Sequence, residues 1–210
     1  MGKLQAAIAL LPDAELSNRL GAAAFAAHAA SRGRLRWPRL PAHLSLKQPF
    51  AVESLSEVER AIDRLAGELA PIRVTLGAVE VQPPSPGSPE AVVWVGVDPE
   101  PSLLELERRL DGALATDVGV SPTAVSLPAL GAAPSPPATA IAMPFVSEAY
   151  RFHVTLGFLP TTSLGEEAAL PLLAGATATF PELAVFVYDG LPRAGWQCML
   201  YARRSLSKSH

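Results

Sequence analysis

One four-residue pattern occurs twice in the chain, as His43-Leu44-Ser45-Leu46 and as His153-Val154-Thr155-Leu156. Each copy is a histidine, an apolar residue, a hydroxyl residue and a leucine, and each alternates as a β-strand does. An imidazole and a hydroxyl therefore share one face of each strand, roughly 7 Å apart, while aliphatic side chains anchor the other face in the core. A histidine bonded to a backbone carbonyl would explain one copy. Two copies favour a functional pair.

Two histidines with two hydroxyls suit phosphodiester chemistry without a metal ion. The unperturbed pKa of imidazole is about 6.5, so near neutral pH one ring can be neutral while the other is protonated. One ring then accepts a proton from an attacking oxygen, and the other donates a proton to the departing oxygen. The hydroxyls of Ser45 and Thr155 would hydrogen-bond the non-bridging phosphoryl oxygens. A cyclic phosphate between the two strands would be approached from opposite sides, as in-line displacement requires.

Residues beside the two motifs are further candidates. Strict alternation places Lys47 on the imidazole face of the first strand, where it would supply positive charge to a phosphate. Arg36 and Trp37 belong to a basic and aromatic cluster just before the first motif, which suggests phosphate contacts and base stacking with a nucleotide or RNA end. The alternative is a solvated loop with Trp37 capping the core. Tyr150 and Arg151 precede the second motif and are candidates to line a cleft.

The remaining sequence predicts strands and helices in a mixed order. Asp13 can cap a helix that ends near Gly33, because apolar residues recur about every 3.6 positions between them. The 21 prolines fall mostly outside the periodic segments. Residues 118–144 are predicted to be a Pro-rich irregular insertion within a single domain spanning 1–210. The predicted strands are 3–11, 43–50, 72–81, 91–97, 152–159, 183–188 and 196–203, and the other predicted helices are 54–69 and 101–114.

Composition excludes several classes of function. The 210 residues carry 17 basic against 20 acidic side chains, and a net charge of −3 argues against general coating of nucleic acid. The single cysteine, Cys198, cannot form an internal disulfide, so a cytoplasmic location is expected. The longest apolar runs, 4–11 and 21–30, are too short to span a bilayer, and no membrane partner is expected. The sequence contains no HExxH, GxSxG, GxGxxG or GxxxxGK[ST] pattern, so we expect neither a metal site nor a cofactor.

The segments around the motifs resemble the 2H phosphoesterase superfamily, and most closely its bacterial 2′-5′ RNA ligase and cyclic nucleotide phosphodiesterase branch. Arg36-Trp37, the first motif with its following helix, residues 92–97 and residues 151–159 come in the order of that family. The resemblance implies a bilobal α+β fold, with two pseudo-symmetric halves of sheet and helix flanking a central cleft. It also implies hydrolysis of 2′,3′-cyclic phosphates of nucleotides or RNA ends, with ATP-independent 2′-5′ joining as a further activity.

By position, the resemblance puts His43 and His153 in the catalytic places and Ser45 and Thr155 in the phosphate-binding places. The expected partner is a small nucleotide or an RNA 2′,3′-cyclic phosphate end, bound by a monomer. The chain departs from the family at Gly157-Phe158, where a basic residue is frequent. That departure supports an alternative, a non-catalytic module that binds a nucleotide or RNA end. A third interpretation, an unrelated α+β domain with accidental motifs, predicts that the two imidazoles lie far apart.

Overall fold

The computed structural model describes residues 4–84, 89–119, 151–160, 173–188 and 198–207. Most of the predicted insertion at 118–144 lies outside these residues. No helix in the described ranges is both long and apolar enough to cross a membrane. The elements are β1 (Gln5–Leu11), α1 (Ala14–Ala30), β2 (Leu44–Ala51), α2 (Leu55–Glu68), β3 (Ile72–Gln82), β4 (Glu90–Val97), α3 (Pro101–Asp117), β5 (His153–Pro160), β6 (Thr177–Phe180), β7 (Glu182–Tyr188) and β8 (Cys198–Ser205).

Local sequence explains where the helices begin and end. The Asp13 carboxylate accepts a hydrogen bond from the Leu16 amide at 2.7 Å, which confirms the predicted cap of α1. The chain leaves that helix through Arg32 and Gly33, whose φ angles of 55° and 77° lie in the left-handed region. Helix α3 starts with Pro101 in its first turn, where a missing N–H costs nothing.

The eight strands of the described residues form one sheet, in the order β6-β3-β4-β5-β2-β1-β7-β8. Every neighbouring pair is antiparallel. The strands that carry the two motifs, β2 and β5, are the central pair. Each of them also pairs with the strand that precedes it across a helix, as β1-α1-β2 and as β4-α3-β5. The sheet therefore consists of a first half, β2-β1-β7-β8, and a second half, β5-β4-β3-β6.

The two faces of the sheet differ in what covers them. On β1, Ala6, Ile8 and Leu10 belong to the main hydrophobic core with the helices, and the intervening residues belong to a small apolar cluster on the opposite face. We call these the helix face and the cleft face. Leu44 and Val154 are fully buried on the helix face, as predicted for the aliphatic residues of the motifs. The small cluster of the cleft face is Ala7, Ala9, Leu11, Ala184 and Phe186.

The two halves interlock through their helices. Helix α1, which belongs to the first half by sequence, packs against β5 of the second half. Helix α3, from the second half, places Glu107 and Asp111 against Lys47 of β2 in the first half. Helix α2 packs against α3 and against β7 and β8. Contacts of α1, α2 and α3 therefore connect the two halves.

Candidate active site

The two motifs meet at the centre of the sheet, where Leu44 pairs with Val154. In this antiparallel register His43 lies across from Thr155, and Ser45 lies across from His153, all on the cleft face. Diagonal neighbours in such a ladder have Cα atoms roughly 7–8 Å apart, so both imidazoles can reach one small group between them. They are also close enough for charge on His43 to lower the pKa of His153. This placement is incompatible with accidental motifs on separate flanks of the molecule.

Both imidazoles are oriented by the same kind of hydrogen bond, from Nδ1 to a backbone carbonyl oxygen. Nδ1 of His43 lies 2.9 Å from the carbonyl oxygen of Pro41, and Nδ1 of His153 lies 2.8 Å from that of Arg151. A carbonyl oxygen can only accept, so the ring proton of each neutral imidazole must be on Nδ1. Nε2 is then the nitrogen that gains and loses a proton. In both motifs the acceptor is two residues before the histidine.

One aromatic ring packs against each imidazole. The ring of His43 lies 4.9 Å from that of Phe186, and the ring of His153 lies 4.1 Å from that of Trp94, measured between centroids. Burial lowers the pKa of both histidines below 6.5, against the opposing effect of their backbone hydrogen bonds. Both rings are therefore mainly neutral at pH 7.

The two hydroxyl residues share this face with the imidazoles. Ser45 pairs with Ala9 of the cleft-face cluster, and Thr155 pairs with Trp94. Both hydroxyl residues are half-buried. Two ring nitrogens and two hydroxyl groups thus surround one gap between β2 and β5, which we call the central gap. A phosphate there would meet two imidazoles and two hydroxyl groups that can donate hydrogen bonds.

Lys47 does not face the central gap, and the prediction from strict alternation is wrong for this residue. Ser45 pairs with Ala9 but Lys47 pairs with Ile8, so Leu46 is an extra residue in a β-bulge. The bulge turns Lys47 to the helix face. There its side chain is completely buried, with Nζ 2.7 Å from Glu107 and 2.5 Å from Asp111.

The second motif contains the same bulge at the same place. Thr155 pairs with Trp94 and Gly157 pairs with Val93, so Leu156 is the extra residue. Gly157 therefore corresponds to Lys47 and also faces the helix side. A Cβ at Gly157 would lie 2.7 Å from a side-chain atom of Leu35 and 2.9 Å from the carbonyl oxygen of Arg36. Only glycine fits at this position.

Arg36 lies at the rim of the cleft face beside the second motif. Its backbone exchanges two hydrogen bonds of 2.8 Å with Phe158, and its guanidinium lies 4.8 Å from the centroid of that ring. The side chain is half exposed and binds Glu90, with Nη2 2.5 Å from the carboxylate. This ion pair raises the pKa of Arg36 and lowers the pKa of Glu90. Arg36 thus brings a cation next to Phe158, where the chain has no basic residue of its own.

The other flanking candidates have different positions. Trp37 is 49% exposed and lines a cleft, with its ring edge-on to those of His28 and Phe25. Arg151 directs its exposed guanidinium to Glu80 at 3.4 Å, and its backbone carbonyl is the group that orients His153. Tyr150 lies outside the described residues.

A cleft of about 500 Å³ adjoins the central gap and extends along α1. Thr155 lines this cleft, whereas His43, Ser45 and His153 do not. Its apolar walls include Leu20, Ala24, Trp37 and Leu40, and Glu182 and Arg203 also line it.

Sequence reasoning missed Phe186, Trp94, Glu182 and Arg203, because nothing in the sequence indicates which strands lie beside the motifs. No group of three or more His, Cys, Asp or Glu side chains that could hold a metal ion occurs among the residues whose positions are described.

Comparisons with known proteins agree with this architecture. A family model described as the 2′-5′ RNA ligase superfamily matches residues 12–191. No curated protein matches the chain significantly in sequence. The structure of TT0787 from Thermus thermophilus is similar, with a TM-score of 0.64 at 18% identity over 98% of this chain and 100% of that one. Escherichia coli LigT complexed with 3′-AMP has a TM-score of 0.54 at 15% identity, over 99% of this chain and 100% of that one.

Proposed function

The chain belongs to the 2′-5′ RNA ligase superfamily, and we propose that it hydrolyses 2′,3′-cyclic phosphates of nucleotides or RNA ends without a metal ion. The fold is the bilobal α+β fold of the 2H phosphoesterases. The observation that carries the proposal is the diagonal pair of imidazoles, each with its proton held on Nδ1 by a carbonyl oxygen. An acid and a base of the same kind, on neighbouring strands, suit a displacement at one phosphorus atom.

The reaction needs one neutral and one protonated imidazole. Nε2 of the neutral ring removes a proton from water while the water oxygen forms a bond to phosphorus. The bond from phosphorus to the 2′ or 3′ oxygen breaks, and Nε2 of the protonated ring supplies the proton that this oxygen takes. The site as a whole neither gains nor loses a proton, and the product is a nucleoside 2′- or 3′-monophosphate.

Ser45 and Thr155 bind the non-bridging oxygens in this proposal. Each hydroxyl lies across the ladder from the histidine of the other motif, so each phosphoryl oxygen can be held beside the opposite ring. Donors that are in place before reaction stabilise charge in the transition state without reorganising. The same arrangement admits 2′-5′ joining. A 5′-hydroxyl then takes the place of water, the 3′ oxygen departs, and the strained cyclic diester supplies the energy that ATP would otherwise provide.

A second candidate is binding of a nucleotide or RNA end without turnover. The orientation of Lys47 favours it, because that cation is buried against carboxylates instead of facing a phosphate. Phe158 occupies a place where a basic residue would strengthen phosphate binding. The two candidates share the site and differ in whether the histidines move protons.

Incubation with 2′,3′-cyclic AMP, followed by chromatography, separates the two. We expect conversion to adenosine monophosphate, with kcat reduced about 10² to 10⁴-fold in His43→Ala and in His153→Ala. The double variant should be little worse than either single one, because the two rings act as a unit. Circular dichroism checks that each variant is folded. Binding without product in the wild-type protein supports the second candidate, and loss of turnover in a chelator with recovery on adding metal contradicts the metal-free mechanism.

A further inference from the structure

A row of residues crosses the sheet from the central gap to the far end of the cleft. Val154, Leu44, Leu10 and Leu183 are successive partners across β5, β2, β1 and β7. The adjacent residue on each strand belongs to a second row, which lies on the cleft face. This row contains Thr155, His43, Leu11 and Glu182. Adjacent strands are about 4.8 Å apart, so Glu182 lies roughly 10 Å from His43, two strands away. A nucleoside attached to a phosphate in the central gap would extend over a comparable distance.

Glu182 and Arg203 form an ion pair on the cleft face. Arg203 donates from Nη2 to the carboxylate at 2.8 Å. Glu182 pairs with Leu11 and Arg203 pairs with Ala184, and both partners belong to the apolar cluster of this face. The side chain of Glu182 is 20% exposed and that of Arg203 is 60% exposed. Arg203 contacts both carboxylate oxygens through Nη2 alone. The N–H groups on its other nitrogens and the remaining carboxylate lone pairs can therefore bind a ligand.

The walls between these two ends suit a flat, partly apolar group. Leu20 and Ala24 of α1, and Trp37 and Leu40 from the segment before β2, line the cleft. The half-exposed indole of Trp37 offers a face on which a base can stack. The cleft therefore joins Thr155, at the edge of the central gap, to apolar walls and to the Glu182–Arg203 pair.

The polar end discriminates between bases by hydrogen-bonding pattern. A carboxylate accepts from the exocyclic amino group of adenine, cytosine or guanine, and an adjacent guanidinium can donate to a ring nitrogen or carbonyl of the same base. Uracil has no amino group, and its single ring N–H lies between two carbonyl oxygens that repel a carboxylate. We propose that Glu182 and Arg203 select nucleotides with an amino-bearing base over uridine nucleotides. This inference rests on the proposed function, since it assumes that the phosphate occupies the central gap.

The test compares kcat/KM for the 2′,3′-cyclic phosphates of adenosine, cytidine, guanosine and uridine. The wild-type protein should prefer the three amino-bearing substrates about tenfold or more, the amount expected for one hydrogen bond to a charged group. Glu182→Gln should lose this preference, because a carboxamide can donate to a uracil carbonyl and accept from its ring N–H. The matched control is Glu59→Gln, which removes a partner of Arg204 on the other face of β8 and should retain the wild-type preference. Equal rates for all four substrates in the wild-type protein, or an unchanged preference in Glu182→Gln, would overturn the inference.

Calorimetric binding of the four nucleoside 3′-monophosphates provides a measurement that needs no turnover. Weaker binding of uridine monophosphate without hydrolysis of any cyclic substrate would support base selection and contradict the catalytic proposal. Hydrolysis of all four cyclic substrates without base preference would support the catalytic proposal and contradict base selection. Absence of both binding and hydrolysis would overturn both.

Discussion

The imidazoles of His43 and His153 lie against aromatic rings, and burial lowers the pKa of each below 6.5. Under the proposed mechanism, the active form of the site has one ring protonated and the other neutral, and its population is greatest between the two pKa values. We therefore expect a bell-shaped dependence of kcat/KM on pH with its maximum on the acidic side of 6.5. A maximum above pH 7 would contradict this assignment.

The same shifts affect stability. The unfolded chain, whose histidines have ordinary pKa values, binds protons more readily than the folded chain, so the free energy of unfolding should fall as the pH drops below 6.5. NMR titration of the two imidazoles, assigned with His43→Ala and His153→Ala, measures both pKa values directly. Titration midpoints above 6.5 would show that burial does not dominate.

Lys47 is buried between two carboxylates, and Oε2 of Glu107 has no hydrogen-bond partner among the described atoms. Replacing Lys47 by Met should lower the free energy of unfolding by about 3–5 kcal/mol at pH 7, because it leaves the fully buried carboxylate of Glu107 and the partly buried one of Asp111 without their cation. Burial raises the pKa of Glu107. Stability lost in the variant should therefore be partly recovered as the pH falls and this carboxyl group takes up a proton.

Urea denaturation of Lys47→Met at pH 7 and pH 5 measures this effect. Arg108→Met is the control, because Arg108 pairs with Glu105 on the exposed side of α3, the helix that carries Glu107. The free energy of unfolding of this variant should hardly change. If Lys47→Met matched that control, the buried cluster would contribute nothing to stability.

At the scale of the strands, periodicity predicted most elements but could not predict the bulges. Strict alternation assigns Lys47 to the face of Ser45, whereas the extra residue Leu46 turns it to the other face. Nothing in the local sequence marks the bulge, since it depends on pairing with a distant strand. Strand β6 was also missed, because Thr177–Phe180 is only four residues long and packs at an edge of the sheet. The motifs themselves could be found because each is contained in four consecutive residues.

Substitution of Gly157 tests the close packing at the second bulge. Gly157→Ala should lower the free energy of unfolding by about 1–3 kcal/mol, because the new methyl group would overlap Leu35 and the backbone of Arg36. That backbone has little freedom to move, since Arg36 is hydrogen-bonded to Phe158 in both directions. In Gly112→Ala the added methyl group of α3 meets no atom within 4 Å, and stability should rise by about 0.5–1 kcal/mol. Equal effects of the two changes in urea denaturation would contradict the predicted overlap.

At the scale of the whole molecule, each half depends on a helix or side chain from the other. Helix α1 packs on β5, and carboxylates of α3 bind Lys47 of β2. The sequence pattern predicted α+β composition, and the resemblance supplied two similar halves. The way they interlock could not be predicted, because it depends on contacts between residues such as Lys47 and Glu107 that are 60 positions apart.

Interlocked halves should unfold together. Trp37 lies in the first half and Trp94 in the second, so each can report on its own half once the other two of the three tryptophans are changed to Phe. We expect the two single-tryptophan proteins, after correction for their own stability, to give the same transition by fluorescence and by circular dichroism. Separate transitions would show that the halves are independent.

The imidazoles of His43 and His153 are each oriented by the carbonyl two places before them, so the local geometry does not distinguish one ring as the acid. Under the proposed mechanism, the orientation of the bound nucleotide then determines which ester bond of the cyclic phosphate breaks. A nucleotide seated one way presents its 2′ ester oxygen to a given ring, and one turned end for end presents its 3′ ester oxygen to that same ring. The ratio of the two isomeric monoesters would therefore report how the nucleoside lies in the cleft.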